Sequence, residues 1–178
     1  MPISAINNGI RHRKIVITDA QYKTLQSSPI VLVPAWAADY AINFLRAELS
    51  ARFASGAYTG ASAVSSYLTI VSGSSSASNK NVSNYLANDN TASVPLSYLS
   101  TFNDATNKSI SLVPASETSD VAAGWGLLAA PITAWDRSNE NLYLKVVNGG
   151  SDFGGGHSSN RLIVDVWYTA TPLLEAYA

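Results

Sequence analysis

The sequence predicts a mainly β fold: a β-sandwich or jelly-roll-like single domain over residues 14–178, preceded by an extended N-terminal arm over 1–13. Three observations predict it. Short segments alternate apolar and polar residues with a period of two. Stretches rich in Ser, Gly and Asn separate them. No long helical pattern stands uncontested. The 178 residues suit one domain with a full core, and 47% hydrophobic residues place the chain among globular proteins.

Residues 1–12 are polar and mixed, which reads as an arm. KIVIT (14–18) begins the first strand. Thr18 and Asp19 are placed to cap a short helical turn running to Leu25, because their side-chain oxygens accept the free first-turn amides. IVLVP (30–34) is a second strand with prolines on both sides. Residues 38–56 carry two overlapping patterns. Ile42, Leu45, Leu49 and Phe53 recur at near-helical spacing, whereas Leu45, Ala47, Leu49, Ala51 and Phe53 alternate with Arg46, Glu48, Ser50 and Arg52. The cleaner period of two favours a long strand whose outward face carries an Arg46–Glu48–Arg52 charge ladder.

SSYLTIVSG (65–73) is the next strand, and the Ser/Asn-rich 72–84 a long loop. Residues 85–101 hold a short helix near Leu96–Leu99, KSISLVP (108–114) is a strand, and 115–124 is loop-like. Trp125 to Leu128 form an apolar stretch ended by Pro131. NLYLKVVN (141–148) and RLIVDVWYT (161–169) are the clearest strands. In the second, Leu162, Val164, Val166 and Tyr168 share one face, and Ile163, Asp165, Trp167 and Thr169 the other. Between them lies NGGSDFGGGHSSN (148–160). It reads as a long hairpin tip in which glycine supplies the positive-φ turns.

Charge narrows the function classes. Only 13% of residues are charged, well below the ~25% typical, and the formal net charge is −1. Nucleic-acid binding normally leaves a basic excess, so none is expected. The basic run Arg11, His12, Arg13, Lys14 is a solvated arm or a contact for an acidic partner. With no cysteine, structural disulfides and thiolate catalysis are excluded. No apolar h-region opens the sequence, and no apolar run approaches the ~20 residues that cross a bilayer, so no membrane contact is expected.

Catalytic constellations do not assemble. His12 and His157 are the only histidines, neither beside a nucleophile in a recognisable motif. His157 with Asp152 makes a thin metal set, and Asn88, Asp89, Asn90 lack EF-hand spacing, so no metal or other cofactor is expected. Glu48, Glu117, Asp120, Asp136 and Glu140 give no carboxylate pair of the kind a glycosidase needs. In the glycine-rich stretch no Lys follows the glycines and a strand comes next, which excludes a phosphate loop. The reading is a non-enzyme. Its contact candidates are Arg11, Arg13 and Lys14 in the arm, Trp36 and Trp135 in loop contexts, and Phe153 and His157 at the tip. Trp167 reads as sheet packing.

ITDAQYKTLQSSPIVLVPAWAADYAI (17–42) and NENLYLKVVNGGSDFGGGHSSNRLIVDVWYT (139–169) resemble the two ends of a family of phage virion structural proteins encoded near the capsid genes. This chain has Trp36 to Asp39 where the family has a Pro-Gly-Ala-Gly turn, and Asn141 where it has a proline. The resemblance implies a capsid decoration (cement) protein, made in the host cytoplasm and displayed on the capsid exterior. It also implies the major capsid protein as partner, self-association as a homotrimer, and residues 1–14 reaching onto a neighbour. The alternative it leaves is a tail, baseplate or fibre component touching host glycan or another tail protein.

Overall fold

The computed structural model describes residues 9–37, 40–53, 55–59, 67–73, 80–81, 86–87, 106–114, 140–147 and 152–172. Eleven strands and one short helix fall within them: β1 (Arg11–Thr18), α1 (Asp19–Lys23), β2 (Ile30–Val33), β3 (Tyr40–Arg52), β4 (Tyr58–Thr59), β5 (Tyr67–Gly73), β6 (Lys80–Asn81), β7 (Leu86–Ala87), β8 (Lys108–Leu112), β9 (Asn141–Val147), β10 (Gly154–Gly155) and β11 (Arg161–Pro172). The fold is mainly β, in several antiparallel sheets. One sheet has the order β1-β11-β3-β8, a second β2-β9-β5-β6 with β7 also on β5, and β10 pairs with β4.

β1 begins at Arg11, three residues before the expected strand, and pairs along its length with β11 from Arg11↔Tyr168 to Thr18↔Arg161. The arm therefore gives up Arg11, His12 and Arg13 to the sheet; residues 1–8 lie outside the described residues. Charged side chains hid the pairing. They are tolerated because, among the described residues, β1 pairs on one side only, and an edge strand keeps its charges in water. Further along, Ile17 is buried and Ile15 packs against the core.

The helical turn starts where expected. The Thr18 side chain accepts from the Gln21 backbone N–H, and the Gln21 side chain accepts from the Thr18 N–H (3.0 Å), a complete capping box. Asp19 and Lys23, one turn apart, form an ion pair at 2.8 Å, while Tyr22 and Leu25 are fully buried.

β3 is a strand throughout, and the near-helical spacing within it is incidental. Arg46 faces Trp167 but Phe44 faces Tyr168, so Leu45 is an extra residue on β3. This bulge reverses the alternation. Ala47, Leu49, Ala51 and Phe53 point inward after it, Phe44 and Ile42 before it, and Leu45 is only half-buried. The charge ladder also changes. The Arg46 guanidinium lies over the Trp167 ring, 4.0 Å from its centroid. β11 follows its predicted faces, with Leu162, Val164, Val166 and Tyr168 buried.

The chain changes sheet at each long connection. β1, β3, β8 and β11 are in the first sheet; β2, β5 and β9 are in the second. Residues 148–160 therefore do not form a hairpin. They carry the chain from β9 in one sheet to β11 in the other, and β10 within them pairs with β4. Period-two strands flanking a glycine-rich loop look alike in both cases, because local pattern does not encode which neighbour a strand takes.

Among the described residues an apolar cluster draws on both sheets. Ile17, Ile42, Leu49, Leu112, Leu162 and Val164 come from the first, and Leu32, Leu68, Ile70, Leu142, Leu144 and Val146 from the second. Fully burying such side chains contributes ~1.5–3 kcal/mol each. The expected strands at 14–18, 30–34, 65–73, 108–114, 141–148 and 161–169 all have counterparts. The 72–84 loop contains β6. The Leu96–Leu99 helix, the 115–124 loop and the stretch from Trp125 to Pro131 lie outside the described residues.

Candidate functional site

Among the described residues, two places gather polar and aromatic side chains. One is the glycine-rich connection, which is fastened from several directions. Asp152 accepts from the Ser27 backbone N–H (3.0 Å) and hydroxyl (2.5 Å). The Phe153 N–H donates to the Lys23 carbonyl, and the Gly156 N–H to the Ala57 carbonyl. The buried Asn160 amide donates to the Gly56 carbonyl (3.2 Å) and its oxygen accepts from the Ser55 N–H (3.3 Å).

Phe153 is 5% exposed and stacks on Tyr22, ring centroids 5.1 Å apart, within a cluster that includes Phe53 and Tyr58. This corrects Phe153 as a contact candidate: its ring is core. At a strand-flanked glycine run, an aromatic residue looks like an exposed tip unless the loop folds back onto the core, as it does here.

Beside this cluster, Tyr58 donates its hydroxyl to the Asp19 carboxylate (2.8 Å). Burial pushes the Asp19 carboxyl up. The hydrogen bonds from Lys23 and Tyr58, the Lys23 charge and the His157 backbone N–H outweigh it, so the carboxyl is held below its ordinary value. Burial, reinforced by Asp19, pushes the Tyr58 phenol well above its own. Tyr58 is thus locked as a neutral donor and Asp19 as a carboxylate acceptor. Gly156, at φ +71, sits against both: a Cβ there would fall 2.3 Å from Tyr58 Cε1 and 2.5 Å from Asp19 Oδ1. The arrangement is a clasp joining α1, β4 and the inter-sheet connection. His157 is exposed at its rim, its Nδ1 accepting from the Ser159 N–H (3.1 Å).

The second place is an open groove of about 410 Å³ lined by Arg13, Val33, Pro34, Ala35, Trp36 and Tyr168. β1 supplies Arg13, the end of β2 supplies Val33, and β11 supplies the buried Tyr168. Trp36 is 45% exposed, and the Arg11 guanidinium lies 4.1 Å from its ring centroid. Such a contact is worth ~0.5–1 kcal/mol at an exposed site. The loop carrying Trp36 is anchored by the Ala35 N–H, which donates to Asn141 Oδ1 (2.7 Å), and the Asn141 amide in turn donates to the Tyr143 hydroxyl (2.8 Å). A proline at position 141 would supply neither bond.

Arg11, Arg13 and Trp36 therefore meet, although 23 or more positions separate the arginines from the tryptophan in the chain. Lys14 is on the opposite face of β1, level with Asp165. His12 shares that face. Its Nε2 is 2.8 Å from Asp165 Oδ1, and its ring packs on Trp167 at 4.8 Å. With Arg46 reaching from β3, Trp167 is flanked from both neighbouring strands, which fits its reading as sheet packing. Trp135 lies outside the described residues. Sequence reasoning missed Tyr168 as a groove residue and Asp165 as a partner for His12; both follow only from the β1–β11 register.

Among the expected carboxylates, Glu140 accepts from the Ser72 hydroxyl (2.6 Å) and Glu48 faces outward on β3. Glu117, Asp120 and Asp136 lie outside the described residues. Among the described residues no three of His, Asp and Glu converge to hold a metal ion, and no helix is long and apolar enough to cross a membrane. Comparison with protein-family models, curated proteins and solved structures gives no match to this chain.

Proposed function

We propose that this chain is a phage virion structural protein, a head decoration protein that binds between capsid subunits on the capsid exterior and assembles as a homotrimer. The observation that carries the reading is strand order. Setting β4, β7 and β10 aside and numbering the other strands along the chain, the first sheet runs 1-8-3-6 and the second 2-7-4-5. That order supports a jelly-roll reading, in which two antiparallel sheets would face each other over one core, and the apolar cluster shared by both sheets suits it. Jelly rolls recur in viral capsid domains but serve other roles too. The resemblance of residues 17–42 and 139–169 to phage virion proteins selects among them. Low charge density fits permanent assembly, since like-charge repulsion between copies is weak.

The test is co-sedimentation of the purified chain with expanded capsids of its parent phage, followed by localisation in a virion map. The reading expects saturable binding, density at local symmetry axes of the head and a trimer by light scattering. A protein that ignores capsids, or density confined to the tail, would sink it.

A further inference from the structure

β1 is bordered by β11 alone among the described residues, so every second residue presents its N–H and C=O away from the sheet. Its two faces differ in charge balance. On one, His12 and Lys14 stand beside Asp165 of the neighbouring strand. On the other, Arg13 lines the groove with Trp36 and Tyr168 while Arg11 lies over the Trp36 ring, and no carboxylate among the described residues pairs with either guanidinium. An apolar edge would invite any strand. This one repels its own kind, because a second copy of β1 laid over Arg11–Lys14 would set the basic residues of one copy against the same four of the other.

We infer that β1 is a docking edge for an extended acidic segment of a partner protein, which adds as a further strand and places two carboxylates, two residues apart, on Arg11 and Arg13. The spacing follows from strand geometry. Side chains two apart share a face, with about 6.6 Å between their Cα atoms, so an acidic-x-acidic segment matches the two arginines and an adjacent acidic pair does not. Arginine suits the task, since its planar fork holds a carboxylate through two hydrogen bonds. Trp36, held by Arg11 and the Ala35–Asn141 bond, walls the groove and takes the apolar part of the incoming side chains. The chemistry stands on the edge and groove alone; naming the partner as a capsid subunit rests on the decoration reading.

The test uses the full chain and a fluorescent Thr/Val peptide with Glu at alternate positions. Binding is followed by anisotropy, and β1 amide exchange by NMR. The Glu peptide should bind and slow exchange of the outward β1 amides, while the same peptide with Lys should not bind. Arg13→Gln should weaken binding roughly fivefold, about 1 kcal/mol, with an unchanged melting temperature. The double variant Arg11→Glu, Arg13→Glu should transfer binding to the Lys peptide. Equal binding of a peptide with adjacent Glu residues, or binding without amide protection, overturns the inference. So does sialyllactose binding with the same Arg13 dependence, which would make the groove an acidic-sugar site. Capsid co-sedimentation of the Arg11→Gln, Arg13→Gln double variant separates the two readings. Its retention on capsids, with no peptide binding, removes the capsid subunit as the partner of this edge and leaves the decoration protein. Peptide binding by a chain that ignores capsids does the reverse.

Discussion

Gly156→Ala should be among the most damaging single-methyl additions to this chain. Gly156 has φ +71, where an alanine costs about 1–2 kcal/mol. The added carbon would also overlap Tyr58 Cε1 at 2.3 Å, Asp19 Oδ1 at 2.5 Å and Tyr58 Cδ1 at 2.9 Å. Those atoms have little room: Tyr58 packs against Tyr22, Phe53 and Phe153, and Asp19 is fixed by Lys23 and Tyr58. Forced repacking of this kind costs about 1–3 kcal/mol. The lower entropy of an unfolded chain with alanine offsets about 0.4–1 kcal/mol. The net expectation is a loss of roughly 2–4 kcal/mol in urea unfolding, with the midpoint lowered and the slope unchanged. Gly154→Ala is the control. Gly154 does not have positive φ, and its nearest neighbour is the Thr59 hydroxyl at 3.0 Å, on an exposed side chain. It should cost under about 1 kcal/mol. If the two variants lose the same stability, or Gly156→Ala loses less than about 0.5 kcal/mol, the clasp is not a tight structural element and the reasoning fails.

Phe153→Ala should cost about 3–5 kcal/mol of stability, because it empties the stack against Tyr22; a fully stable variant with impaired capsid binding would restore Phe153 as a surface contact. Tyr58→Phe removes a hydrogen bond to a buried carboxylate and should cost about 1.5–3 kcal/mol at neutral pH by chemical denaturation. The Asp19 carboxyl is depressed in the folded state, so its contribution is present above its unfolded pKa, ~3.9, and is lost as pH falls through the folded value. Asp19→Asn should therefore flatten the acid limb of a stability–pH profile, and an unchanged limb would assign that limb to other groups. Arg46→Ala uncovers one side of Trp167 and should cost about 0.5–1 kcal/mol while altering the tryptophan emission spectrum in the folded state.

Much of the fold was legible because alternation is a local signal. Arg161–Thr169 shows one buried and one outward face residue by residue, and the capping box at Thr18 is written in four consecutive positions. The bulge at Leu45 was not legible: a period of two read from Leu45 onward fits equally well with or without an inserted residue, and only the partner strand decides. Nor was the destination of residues 148–160, since sheet membership depends on partners more than a hundred positions away. The groove followed the same rule. Arg11, Arg13 and Trp36 each stood out individually as charge or aromatic in a polar setting, yet their meeting depends on β1 and β2 lying in different sheets. Phe153 misled because glycine neighbours signal exposure only when the loop projects from the core.

The place of β11 between β1 and β3 has a consequence for biosynthesis. Neither flanking strand has the other as a neighbour, and the strand that joins them spans Arg161–Pro172. β9 holds the same position between β2 and β5 in the second sheet. β1 and β3 are thus made well before the one strand that pairs with both. Both sheets wait for β9 and β11, so productive folding is slow in the manner of non-local β pairings, and exposed in the interval to association of unpaired edges. The basic side chains at the start of β1 disfavour pairing between two such edges.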